Sequence, residues 1–225
     1  MKLIFANRNY SSWSLRAWLV LRHFGIPFEE ELVLLNGEGW QEIIRRKSPS
    51  GRVPVLIDGD LVVPETIAIV EYLAERFPQK SIWPSDIASR ARARAASAEM
   101  HSGFNRLRDA APMNLRSTHP GRIDHDAVAN DLKRIDAIWG DLLERSGGPY
   151  LCGEFCAVDA MFAPMASRIR TYALPVSDMA GAYVEAIYAL PAFQEWLAAA
   201  IKEPWIVEFD EIDYVQGRKQ ANGAP

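Results

Sequence analysis

Val55-Leu56-Ile57-Asp58-Gly59-Asp60-Leu61-Val62-Val63-Pro64-Glu65-Thr66 is the stretch that decides the fold. Two apolar triplets flank an Asp-Gly pair, which is the chemistry of a tight turn between antiparallel strands. Pro64-Glu65-Thr66 then opens a helix. Ile67, Val70, Tyr72, Leu73 and Phe77 recur behind it at helical spacing.

Working back from this hairpin, Ser48-Pro49-Ser50-Gly51-Arg52-Val53-Pro54 is a breaker-rich loop. A short helix is expected over Trp40–Lys47, a turn over Asn36–Gly39 and a strand over Phe28–Leu35. Ser14–Phe24 reads as a helix stopped by Gly25, and residues 2–6 as a buried strand. The order is strand, helix, strand, helix, strand, strand, helix, complete by Phe77. It predicts a small mixed sheet with helices on both faces. The hairpin pair is expected antiparallel, and strands joined through helices parallel.

Forward of the hairpin the pattern changes, and no convincing strand recurs. Helices are expected over Ile87–Ala111, Asp124–Arg145, Ala157–Tyr172, Met179–Ala189 and Pro191–Lys202. The expected organisation is an α/β unit over residues 1–78, a linker over 79–86, an all-helical unit over 87–215 and a flexible tail over 216–225.

The 225 residues are 49% apolar and 24% charged, ordinary for a soluble globular chain. A net charge of −4 argues against nucleic acid as a partner. No apolar run reaches the roughly 20 residues a membrane-spanning helix needs, and the N-terminus lacks a signal-peptide pattern. A cytoplasmic location is therefore expected. Cys152 and Cys156 form neither a CxxC pair nor a metal set. They read as reduced structural thiols, and no metal is expected.

Asn9-Tyr10-Ser11-Ser12-Trp13-Ser14-Leu15-Arg16 sits where the first strand ends and the first helix begins. Its hydroxyls have two readings: caps for orphan backbone N–H groups, or donors aimed at an anionic ligand held at a helix start.

These residues together resemble the cytosolic glutathione transferase superfamily over residues 2 to about 205. The resemblance implies a thioredoxin-like N-terminal domain (βαβαββα) followed by an all-α C-terminal domain. Val53-Pro54 is similar to the family's cis-proline dipeptide, whose preceding backbone pairs with the cysteinyl part of glutathione. Glu65-Thr66 resembles the Glu-Ser pair that holds the γ-glutamyl end, with Glu65 facing the ammonium and Thr66 the carboxylate. Ser11-Ser12-Trp13-Ser14-Leu15-Arg16 resembles the Ser-Ser-Cys-Ser-Trp-Arg stretch of the zeta class, the maleylacetoacetate isomerases. Trp13 stands where that class has cysteine. Cys156-Ala157-Val158-Asp159 matches the family's capping box at the start of its central helix.

The resemblance implies that Ser11, with Ser12 beside it, stabilises the glutathione thiolate, and that Tyr10 competes for that role. Arg52, Val53, Pro54, Glu65 and Thr66 would bind glutathione, the co-substrate. Tyr10, Trp13, Met100, Phe104, Arg108, Met113 and Arg170 are candidates for the second-substrate pocket. Arg168 and Arg170, on a very apolar helix, each require a partner. The implied activity is conjugation of glutathione to a small hydrophobic electrophile. Two alternatives stay open: a maleylacetoacetate-type cis–trans isomerase, and a non-catalytic binding protein of the same fold. A thiol reductase would need a cysteine in the opening loop, and residues 7–16 contain none. The family commonly forms homodimers, which would use Arg76, Phe77 and the Arg90/Arg92/Arg94 face.

Overall fold

The structure is a computed structural model, and it describes residues 1–221. Four strands form one sheet: β1 (Lys2–Ala6), β2 (Glu29–Val33), β3 (Val55–Asp58) and β4 (Leu61–Pro64), in the order β2-β1-β3-β4. β1 runs parallel to β2, while β3 is antiparallel to both β1 and β4. β3 therefore departs from the parallel arrangement expected of a strand reached through a helix. β2 and β3 flank β1 and point in opposite directions, so the connection through α2 begins and ends at the same edge of the sheet. Gly59 turns the hairpin with φ 60°, a conformation open to glycine without steric cost.

β1 is central and covered on both faces, which is why its apolar run is unbroken. Leu3 and Phe5 join Leu56 in the main core, and Ile4 joins Val33, Val55 and Ile44 in a smaller one. The helices α1 (Ser12–His23) and α3 (Thr66–Arg76) cover the first face, and α2 (Trp40–Lys47) covers the second through Ile44.

The remaining helices are α4 (Ile87–Ser102), α5 (Asn105–Ala110), α6 (His125–Ser146), α7 (Ala157–Tyr172), α8 (Asp178–Ala189), α9 (Pro191–Lys202) and α10 (Ile212–Ala221). The single helix expected over 87–111 is two. Phe104 adopts a left-handed conformation (φ 59°) between them. A Cβ on Gly103 would sit 2.8 Å from the Glu99 carbonyl oxygen, so the break depends on glycine. α10 was not expected. It takes residues 216–221 out of the expected tail, and 222–225 lie outside the described residues.

α7 is the central helix, with every residue except Arg170 buried. At its start Asp159 accepts from the backbone N–H groups of Leu151 (3.0 Å) and Cys156 (2.9 Å). α7 also receives α1: Arg16, fully buried, donates to the Met161 carbonyl at 2.8 Å. After α9 the chain returns across the junction of sheet and helices. Glu203 accepts from the backbone N–H groups of Arg8 and Asn9, and a 3-10 turn at Glu208–Asp210 leads into α10. Residues 203–211 form a strap over the opening loop.

Candidate functional site

The opening loop folds through its serines. Ser11 is the N-cap of α1 and accepts from the Ser14 backbone N–H at 3.4 Å. The Ser11 hydroxyl donates to Ser14 Oγ at 2.8 Å, and Ser14 Oγ accepts from the Ala6 N–H at 3.1 Å. Ser14 is fully buried and belongs to the scaffold, whereas Ser11 remains partly exposed. Ser12 is buried, and its carbonyl accepts from Arg16 at 2.9 Å. The Ser11 oxygen thus caps the helix, and its proton rests on Ser14 Oγ.

A cavity of about 340 Å³ opens at this point, within the range of small-molecule sites. Ser11, Ser12, Tyr10 and Trp13 form one wall, Arg52 and Val53 a second, and Arg108, Met113 and Arg168 a third. Asp210, from the strap, also lines it. The Val53–Pro54 peptide bond is cis, as the resemblance implies.

Tyr10 is not free to act on a ligand. Its hydroxyl donates to Glu211 of the strap and accepts from Arg116 Nη2 at 2.9 Å. Burial, with the Glu211 carboxylate behind it, pushes its phenol up to about 12. The Glu211 carboxylate also accepts from Asn114.

Glu65 and Thr66 stand at the start of α3. Glu65 has φ 79°, the left-handed region that costs an L-residue energy and clusters at functional sites. One of its carboxylate oxygens accepts from the Ile67 (2.9 Å) and Ala68 (3.4 Å) N–H groups. The other lies 2.9 Å from His101 Nε2 of α4. Thr66 donates to the Trp13 carbonyl at 3.2 Å, linking the two helix starts that the resemblance assigns to glutathione. Thr66 is buried and does not line the cavity.

Three other expected pocket residues are elsewhere. Met100 is fully buried in the core, and Phe104 packs against Phe162. Arg170 is exposed, pairs with Glu185 and lies 3.8 Å from the centre of the Tyr188 ring. Residues two apart on a helix point about 200° apart, so its neighbour Arg168 faces the cavity instead. Arg168 donates to the carbonyls of Ala111 (2.7 Å) and Pro164 (3.0 Å).

The third wall is electropositive and poorly hydrated. Burial, reinforced by the Arg108 charge, pulls Arg168 down to about 10. Burial also lowers Arg108, and it lowers Arg16 with help from Arg168 and Arg108. The Trp13 ring lies between the last two, with the Arg16 and Arg108 guanidinium carbons 4.3 and 4.8 Å from its centre. Asp210 provides a carboxylate beside Arg168, and burial pushes it up to about 6. Sequence reasoning missed Asp210. Its only signal was an acidic residue in a segment read as the end of the helical unit. Among the described residues no group of three His, Cys, Asp or Glu side chains could hold a metal. No helix among them is long and apolar enough to cross a membrane.

A small mixed sheet of this topology, a cis-proline loop facing a hydroxyl-capped first helix and an all-helical second half define the class: a thioredoxin-like domain joined to a helical domain. The profile of the glutathione S-transferase N-terminal domain matches residues 10–76. Glutathione S-transferase 1 of Dianthus caryophyllus is 30% identical over 167 residues, covering 73% of this chain and 75% of that protein. A probable maleylacetoacetate isomerase of Caenorhabditis elegans is 26% identical, covering 76% and 79%. A glutathione transferase homologue from Burkholderia, solved with bound glutathione, superposes with a TM-score of 0.69 at 25% identity, over 88% of this chain and 96% of that one. The chain belongs to the glutathione S-transferase family.

Proposed function

We propose that the cavity binds glutathione and that Ser11 stabilises its thiolate for attack on a small electrophile. The observation that carries this reading is the placement of the Ser11 hydroxyl. It lies at the N-terminus of α1, on a cavity wall, with Arg52 and Val53 on the next wall. The Val53 backbone would pair with the cysteinyl unit. Arg52 would meet the glycyl carboxylate, and Glu65 with the Thr66 backbone N–H at the start of α3 the γ-glutamyl end, the Thr66 hydroxyl staying on the Trp13 carbonyl.

A free thiol near pKa 8.5 is only a few per cent ionised at neutral pH, and the thiolate is the nucleophile. Lowering that value by about 1.5–2 units requires roughly 2–3 kcal/mol. One hydrogen bond to a charged acceptor contributes about 1.5–3 kcal/mol, and the helix start adds a favourable field. Ser11 can supply this bond by turning its proton from Ser14 Oγ to the sulfur, while its oxygen keeps the cap. Tyr10 is the weaker donor, because Glu211 holds its proton.

A second reading, glutathione-dependent cis–trans isomerisation, is favoured by the Arg108/Arg168 wall. It suits a carboxylate-bearing substrate better than a neutral aryl one. Retention on immobilised glutathione, eluted by free glutathione, tests the shared premise. Turnover of maleylacetoacetate against a panel of aryl and alkyl electrophiles then separates the two. Absence of retention removes both. Assembly as a homodimer, which the family resemblance implies, is part of the proposal, and sedimentation tests it.

A further inference from the structure

We propose that Asp210 tunes how strongly this pocket accepts an anionic second substrate, by placing a carboxylate in the cavity that Arg108 and Arg168 also line. The inference deepens the functional reading above, and it rests on that reading for the identity of the pocket.

Asp210 lies downstream of α9, outside the helices and the loop that build the other walls. It arrives on the strap, which is fastened at both sides of it. Upstream, Glu203 caps the Arg8 and Asn9 N–H groups, and Arg116 donates to the carbonyls of Glu203 and Trp205. Phe209 packs its ring 6.4 Å from that of Trp40 on α2. Downstream, Glu211 accepts from Tyr10 and Asn114. A residue fixed in this way presents its side chain to the cavity reproducibly.

The groups sharing the cavity with Asp210 are Tyr10 and Arg52 from the first half, Arg108 from α5 and Arg168 from α7. Glu211 is its chain neighbour, and Tyr172 of α7 lies within reach of its charge. Tyr10 and Tyr172 stay neutral at physiological pH, since burial raises both. The charge balance of the pocket is therefore set by two arginines on the helical side, Arg52 at the glutathione side, and one carboxylate. Asp210 is the one of these that titrates near neutrality. Ionised, it offsets part of the arginines' positive charge and weakens the hold on a second anion. Protonated, it leaves Arg168 and Arg108 to a substrate carboxylate. The pocket therefore holds an anionic substrate more tightly as Asp210 takes up its proton.

Fumarate is a suitable probe, because it remains a dianion across the relevant pH range and carries no thiol. Its binding is measured calorimetrically at pH 5.5 and 7.5 to the full-length protein and to Asp210→Asn. The wild type is expected to bind about tenfold more tightly at pH 5.5, because a carboxyl titrating at about 6 goes from about 3% protonated at pH 7.5 to about 75% at pH 5.5. Asp210→Asn is expected to bind equally at both values, at least as tightly as the wild type at pH 5.5. Equal wild-type affinity at both pH values overturns the proposal without recourse to any variant. So does an Asp210→Asn protein that binds fumarate at neither. Glutathione binding by the same samples tests the underlying functional reading separately.

Discussion

At the residue scale, the opening loop separates two neighbouring hydroxyls by the partners that already hold them. Ser11 caps α1 with its oxygen and gives its proton only to a neighbouring hydroxyl, Ser14 Oγ, whereas the hydroxyl of Tyr10, one position earlier, is committed to the Glu211 carboxylate. Tyr10→Phe removes that bond and the one from Arg116. We expect a loss of about 1–2 kcal/mol, read as a fall in Tm of about 3–6 °C, with the glutathione thiolate left ionised as before. Arg170 and Arg168 divide the same way. Arg170→Ala deletes an exposed pair with Glu185, and such pairs contribute about 0–1 kcal/mol. We expect kcat/KM to stay within about twofold of the wild type. The sequence flagged both arginines as needing partners but not which faced the cavity. That depends on the rotation of α7 against α1, set by Arg16 and Met161, which are 145 positions apart.

At the scale of elements, what was legible depended on whether the signal was local. α2, α7 and α9 match their expected bounds, because each is delimited by local breakers: Gly39 and Ser48, Cys156 with Asp159, and Pro191. The break between α4 and α5 was hidden, since a lone Gly103 in an Ala/Arg-rich run is compatible with a continuous helix until Phe104 finds its place against Phe162. The strap was hidden more deeply: its partners Arg8, Asn9, Tyr10, Asn114 and Arg116 all lie about 90 or more positions away. Asp159→Ala should be costly. It strips acceptors from two buried backbone N–H groups, each worth about 1–3 kcal/mol when left unpaired. A fall in Tm of at least about 6 °C is expected, and Asp159→Asn should recover part of it. Glu203→Ala should loosen the opening loop rather than the core, so amide exchange at Ser11 and Ser12 is expected to accelerate while that of Phe162 and Met165 stays slow.

At the scale of the whole molecule, the candidate site exists only where two halves and a returning strap meet. The sheet half provides the serines and the cis-proline loop, the helical half the arginines, and the strap Asp210 and Glu211. Composition and motif could assign the halves, but they could not foresee that β3 would run antiparallel to β1 or that the chain end would close the cavity. Closure also links stability to pH. Asp210 titrates near 3.8 when unperturbed and at about 6 in the folded chain, so the folded state binds the proton more tightly. Its contribution to stability is full below about pH 4 and is lost as pH rises through 6. Thermal melts of Asp210→Asn should therefore gain on the wild type between pH 4 and 7. The central claim, that Ser11 stabilises the thiolate, is tested most directly by titrating the thiolate absorbance of bound glutathione in wild type, Ser11→Ala and Tyr10→Phe. The account predicts that Ser11→Ala raises the thiol pKa by about 1–2 units while Tyr10→Phe leaves it unchanged; an unchanged value in Ser11→Ala with a raised one in Tyr10→Phe would contradict it.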